Sequence, residues 1–183
     1  MKSGAIRPPA VAGTFYSGSA ATLRQQIEGC YQHDLGPDIL PKLGDAPRHI
    51  LGLVCPHAGY MYSGHVAAHG FAAIAAEKKP ETVVIMGPNH YGAGPAFSVS
   101  GAASWQTPLG AVPLDGDGID RLLSHNPLLQ KDDLAHSREH SIEVQVPFLQ
   151  HLYGDSFKLV PISLLRMDVK TCVALGQSLA AAL

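Results

Sequence analysis

Two short apolar runs constrain this chain more than any other feature: HILGLVC at residues 49–55 and TVVIM at residues 82–86. Both have the length of a strand, and neither alternates apolar with polar residues. Each therefore suits a strand covered on both faces. Between them lies an alanine-rich segment, residues 63–76, that reads as a helix. The order strand, helix, strand is a βαβ unit, which implies a parallel pair joined by a right-handed crossover. The expected fold class is α/β, with a central, mostly parallel or mixed sheet flanked by helices.

The same unit places candidate chemistry. Each run leads to a histidine and then a glycine, in Cys55-Pro56-His57-Ala58-Gly59-Tyr60 and in Met86-Gly87-Pro88-Asn89-His90-Tyr91-Gly92. Loops leaving the carboxyl ends of parallel strands are where open α/β sheets bind ligands. Two imidazoles delivered to that edge can share one ion, and neutral imidazole suits iron, zinc, copper or nickel. A histidine in a loop can also do no more than hydrogen-bond the backbone. The matched pair favours His57 and His90 as metal ligands.

A third cluster runs Ala135-His136-Ser137-Arg138-Glu139-His140-Ser141-Ile142-Glu143. If it is helical, His136, His140 and Glu143 share one face. His140 can then serve as general acid or base, because imidazole titrates near neutral pH. Glu139 or Glu143 can orient it or bind a substrate donor. The same residues also read as a polar helix start, capped by Ser137 or Ser141. Tyr60, Tyr62 and Tyr91 flank the two histidine loops and can line a pocket. His65 and His69 have HxxxH spacing, but Val66 stands where zinc-binding HExxH helices carry glutamate, so they read as an ordinary helix face. His33, His49, His125 and His151 read as structural, and Cys55 as a small core residue.

The remaining elements follow from punctuation and periodicity. Residues 6–17 form a Pro/Gly-marked arm. Ser19 caps a helix over residues 20–32 that turns Leu23, Ile27 and Cys30 or Tyr31 to one side. Residues 35–48 are a loop. Short strands at 96–102 and 111–114 are joined through Trp105-Gln106-Thr107-Pro108-Leu109-Gly110, and a short helix covers 119–124. Pro147 makes the helix over 141–153 start late or kink. A strand at 157–164 precedes a helix that Asp168 caps. The chain ends inside that helix without a glycine cap or a following strand. Residues 1–183 are therefore expected to be a single domain whose C-terminal part is missing.

Composition narrows the partners. A chain of 183 residues that is 46% hydrophobic can bury one sizeable core. Its formal net charge of -2 and lack of a basic stripe argue against nucleic acid. No apolar run approaches bilayer-spanning length and no secretory leader is visible, so no membrane partner is expected. Cys30, Cys55 and Cys172 are widely spaced and form no CxxC, which fits a reducing, cytoplasmic setting. The glycines match neither phosphate-cradling pattern.

Five segments together carry a resemblance: Arg7-Pro8-Pro9-Ala10-Val11-Ala12-Gly13-Thr14-Phe15-Tyr16, Pro56-His57-Ala58-Gly59-Tyr60, Gly87-Pro88-Asn89-His90, Trp105-Gln106-Thr107-Pro108-Leu109-Gly110 and Glu139-His140-Ser141-Ile142-Glu143-Val144-Gln145. In this order they resemble the MEMO1 family, whose prokaryotic members are called AmmeMemoRadiSam system protein B. The resemblance implies a fold similar to that of the class III (LigB-type) extradiol dioxygenases. It further implies that His57 and His90 match two metal ligands and that His140 matches an acid/base histidine, with His136, Glu139 and Tyr60 lining the substrate pocket. The family's third ligand, a cysteine in the animal protein, comes from a later segment that none of the three cysteines here matches. The cofactor so implied is Fe(II), with copper or zinc as the other candidates.

The resulting expectation is a cytoplasmic metalloprotein with a non-haem, dioxygenase-like site and redox activity on an unknown small molecule. The alternative is a non-catalytic module that binds a peptide or protein in the same cleft. The resemblance also implies AMMECR1-like and radical-SAM proteins as partners.

Overall fold

Helix formation begins where apolar residues recur at helical spacing. The structure, a computed structural model, describes residues 4–165 and 168–182. Helix α1 (Ala20–Tyr31) buries Leu23, Ile27, Cys30 and Tyr31, the face expected from their spacing. Ser19 occupies its N-cap with extended backbone, but its side chain makes no capping hydrogen bond. Helix α2 (Tyr60–Ala75) starts three residues before the expected position. The two helices approach closely at Gly64, where a Cβ would lie 2.6 Å from Cys30 Sγ.

Two mixed sheets are flanked by helices. The larger has the order β2-β7-β3-β6. Strand β2 (Thr82–Pro88) runs parallel to β7 (Lys158–Leu164), with Val84 opposite Val160 and Met86 opposite Ile162. Strand β3 (Phe97–Val99) is antiparallel to β7, and β6 (Gln130–Lys131) is parallel to β3. The smaller sheet orders β1-β4-β5, with β1 (Ile6–Arg7) parallel to β4 (Ser104–Thr107) and β5 (Gly110–Pro113) antiparallel to it. Residues 104–107 are thus half of a hairpin, not the connector expected between two strands.

Helix α3 (Gly116–His125) is capped by Asp115, whose carboxylate accepts the Gly118 amide at 3.2 Å. Pro147 falls in the first turn of α5 (Val146–Tyr153), behind a 3-10 turn over Glu143–Gln145. The helix starts late rather than kinking, because proline is tolerated where an amide has no intrahelical partner. Helix α6 (Val169–Ala182) begins where Asp168 accepts the Thr171 amide at 2.7 Å. The core is centred on β7, where Leu159, Val160 and Ile162 have no exposure, and on the stacked rings of Phe71 and Phe148, 4.8 Å apart.

Two further expectations fail. Residues 49–55 form no strand, so the βαβ crossover into β2 is not made. Leu51 is 98% exposed and Val54 fully so. The Glu77 carboxylate takes the amides of His49 and Ile50 at 3.2–3.3 Å, which anchors only the start of the segment. Its apolar residues create a demand for burial, and no laddered neighbour meets it. Between this segment and β2 lies a cavity of about 480 Å³ lined by Ile50, Leu53, Cys55, Val83 and Ile85. The other failure concerns residues 135–143, which are not one helix: α4 covers only Leu134–Ser137. His136, His140 and Glu143 therefore do not share a helical face.

A buried carboxylate ties the opening arm to this region. Glu143 has no exposure and accepts from the Ala10 and Val11 amides (2.8 and 3.1 Å), from the Tyr16 hydroxyl (2.5 Å) and from Arg7 Nη1. Arg7 also donates to the His136 carbonyl through Nε and Nη2 (2.9 and 2.8 Å) and to the Glu139 carbonyl (2.8 Å). Its guanidinium lies 4.2 Å from the Trp105 ring centre.

Two measurements check these assignments. Glu143→Ala strands the Arg7 charge and should cost about 3–5 kcal/mol in urea unfolding, since removing one partner of a buried ion pair leaves the other uncompensated. In hydrogen exchange, the amides of residues 51–54 should exchange at near-unprotected rates while those of Val160 and Ile162 report global stability; equal protection would contradict the unpaired segment.

Candidate metal centre

The carboxyl end of β2 shapes the His90 loop. Asn89 Oδ1 accepts the amides of Tyr91 (3.2 Å) and Gly92 (3.0 Å), and its Nδ2 donates to the Ala93 carbonyl (2.7 Å). This side-chain turn, with Gly92 at φ 66°, fixes where His90 leaves the strand. His57 lies just before α2. Gln145 Nε2 donates to the Pro56 carbonyl on one side of it (3.0 Å), and the Tyr60 amide donates to the Phe15 carbonyl on the other (2.8 Å). His140 follows α4, in a turn held against β2 by the Ser141 hydroxyl, which donates to the Pro88 carbonyl at 2.9 Å.

These three elements bring His57, His90 and His140 together, with one ligand atom from each lying within 4.8 Å of the others. Ring centres are 5.1 Å apart for His57 and His90, 5.7 Å for His57 and His140, and 4.5 Å for the nearly parallel His90 and His140. His140 Nδ1 is buried and has no hydrogen-bond partner. Burial holds the His140 pKa below its ordinary value, reinforced by His90 and His57 and opposed by Glu139. A neutral imidazole with a free nitrogen is what a divalent ion requires, and the three-imidazole set fits a first-row metal.

Beside the cluster is a cleft of about 630 Å³ whose lining includes Phe15, Pro56, His57, Met61, Tyr62 and His140. Phe15 packs on His140 with ring centres 4.6 Å apart. Nothing in residue spacing marks Phe15 for this place; it was legible only as part of the Gly13-Thr14-Phe15-Tyr16 segment. Of the flanking tyrosines, Tyr62 lines the cleft. Tyr60 is buried and donates to the Val144 carbonyl at 2.8 Å, a core role.

His136 lies apart from the cluster, fully buried and edge-on to Trp105 at 5.6 Å. Burial and the neighbouring Arg7 hold its pKa down at about 4, so it is neutral at ordinary pH. Glu139 sits behind the histidines with its side chain 1% exposed, and both carboxylate oxygens are engaged within the protein. Burial pushes its pKa up, but the amides of His90 and Ser141 and the His90 ring outweigh this and hold it at about 2. His33 and His65 stack on each other at 4.6 Å, and His69 Nε2 pairs with the Leu35 carbonyl at 3.0 Å, in keeping with a helix-face role. Cys55 is half-buried, and burial raises its thiol pKa.

Fold and site together define an α/β protein with a three-histidine candidate metal centre beside an apolar cleft. The Memo-like protein family matches residues 7–183, and this chain belongs to that family. A MEMO1 family protein of Methanopyrus kandleri is 46% identical over 173 residues, which is 94% of this chain and 61% of the relative. One from Ignicoccus hospitalis is 51% identical over 158 residues, 86% of this chain and 55% of the relative. One from Methanothermobacter thermautotrophicus is 42% identical over 178 residues, 97% and 64% respectively. The chain thus spans 55–64% of the length of these relatives. No described helix is long and apolar enough to cross a membrane.

The fit between β2 and the His140 turn can be probed at Gly87. A Cβ there would stand 2.4 Å from Ser141 Oγ and 2.8 Å from Ile142 Cγ1. Gly87→Ala should cost about 1–3 kcal/mol of stability in urea unfolding. It should also shift the imidazole NMR signals of His140 while leaving those of the distant His125 in place.

Proposed function

We propose that this chain is a metal-binding member of its family in which His57 and His90 hold Fe(II) and His140 handles the proton of an oxygen-dependent redox reaction. The observation that carries this reading is the convergence of three imidazoles, one ligand atom from each lying within 4.8 Å of the others, beside a cleft that His57 and His140 line. Bound iron would supply open positions for oxygen and substrate, and copper or zinc are the other ions such donors accept. The protein's own residues do the rest. Phe15 packs against the His140 ring, burial lowers the pKa of that ring, and in its neutral form the imidazole can accept a proton. Phe15, Pro56, Met61 and Tyr62 give the cleft an apolar wall against which a small molecule can pack. The likeness to class III extradiol dioxygenases, a cytoplasmic location, and AMMECR1-like and radical-SAM partners belong to the same proposal and rest on the family resemblance.

The apolar wall also favours a second reading, a module that binds a peptide without turnover. One set of measurements separates the two. After anaerobic loading with Fe(II), the chain should hold one ion, and His57→Ala with His90→Ala should hold none. Full metal content in the double variant overturns the assignment. Iron-dependent oxygen uptake supports the redox reading, and tight peptide binding by metal-free protein supports the second.

A further inference from the structure

A metal centre needs nitrogen lone pairs aimed inward, and a neutral imidazole has its lone pair on whichever nitrogen lacks the proton. The hydrogen bond made by the other nitrogen settles the matter. His90 Nδ1 lies 2.9 Å from Glu139 Oε1. The same oxygen accepts the backbone amides of His140 and Ser141, both at 2.8 Å, while Oε2 accepts the His90 amide at 2.6 Å. Both oxygens therefore act as acceptors, and the proton of the His90 contact must sit on Nδ1. That leaves the lone pair of His90 on Nε2. Glu139 Oε1 also stands 3.4 Å from His140 Nδ1, so one carboxylate oxygen faces the Nδ1 of two of the three clustered rings. Glu139 itself is fixed from behind, where Arg7 Nη2 donates to its carbonyl at 2.8 Å.

We infer that Glu139 is a positioning residue of the centre: it holds His90 in the Nδ1–H form with Nε2 free, and anchors the His140 backbone beside it. This role differs from the contact with substrate expected from sequence, since the side chain is 1% exposed and both oxygens already accept hydrogen bonds within the protein. Its negative charge next to two imidazoles also partly offsets the charge of a divalent ion, as carboxylate–histidine pairs do in metal sites. The inference rests on the metal-binding reading above for its purpose, but its geometry is testable without an ion.

The test is nitrogen NMR on metal-free protein labelled with 15N-histidine. His90 should be protonated at Nδ1. His33 provides an internal contrast, because its Nδ1 accepts the Leu35 amide at 3.0 Å and its proton must sit on Nε2. In Glu139→Gln, His90 should lose its single tautomer while His33 keeps its own. Zn²⁺ affinity measured by calorimetry should fall 10–100-fold, the usual effect of removing such a partner. An Nε2–H form of His90 in the unaltered chain overturns the inference, as does a Glu139→Gln chain that binds Zn²⁺ as tightly as its parent. If Glu139→Gln fails to fold, the tautomer in the unaltered chain decides alone. Failure of the unaltered chain to bind Zn²⁺ would count against the metal reading instead, since the tautomer is measured without metal.

Discussion

The buried charge of Glu143 is the constraint on which the rest of this structure depends. A carboxylate without exposure is tolerable only if its lone pairs are filled and its charge is opposed. Arg7, the Ala10 and Val11 amides and the Tyr16 hydroxyl do both. All four donors come from the opening arm, whereas Glu143 begins the 3-10 turn just after His140. Satisfying one charge therefore pins the arm to the turn that carries a site histidine. Phe15 rides on that arm and reaches the His140 ring as a consequence. The four donors and the carboxylate they meet thereby join two parts of the chain more than a hundred residues apart.

Much of the architecture was legible where burial and local chemistry agree. The face of α1 followed from Leu23, Ile27, Cys30 and Tyr31, β2 followed from its β-branched run, and β7 matches the strand expected at 157–164. Pro147 left a late start or a kink open, and the helix takes the late start, where a missing amide is harmless. The failure at residues 49–55 has the opposite cause. An apolar run states what a segment needs from its surroundings, and a ladder depends on a neighbour that the run cannot name. Trp105 was expected in a connector, yet pairing with β1 and β5 makes it a strand residue.

The candidate site was legible in its histidines and less so in their supports. His57 and His90 were visible because each follows an apolar run and precedes a glycine, and His140 because histidine and glutamate cluster around it. The assumed helix over residues 135–143 misplaced the neighbours. The chain leaves helical geometry after Ser137, so His136 turns into the core against Trp105 and Glu139 turns behind the histidines. Arg7 could not be found by spacing, being more than a hundred residues from everything it holds in this turn. Family membership supplies what single-sequence spacing lacks, since the arm and the histidine segments occur together across residues 7–183.

The three histidines stand on supports of unequal stiffness. His90 leaves a strand fully paired with β7, and His140 is clamped through Ser141 and Glu139. His57 alone sits at the end of the unladdered stretch, steadied by Gln145 at Pro56. Anything bridging His57 to its two companions would fasten an unpaired length of chain to the laddered sheet. Occupancy and order at this corner are then thermodynamically linked: some of the grip on a ligand is spent on taming the segment, and a segment already tamed would grip harder.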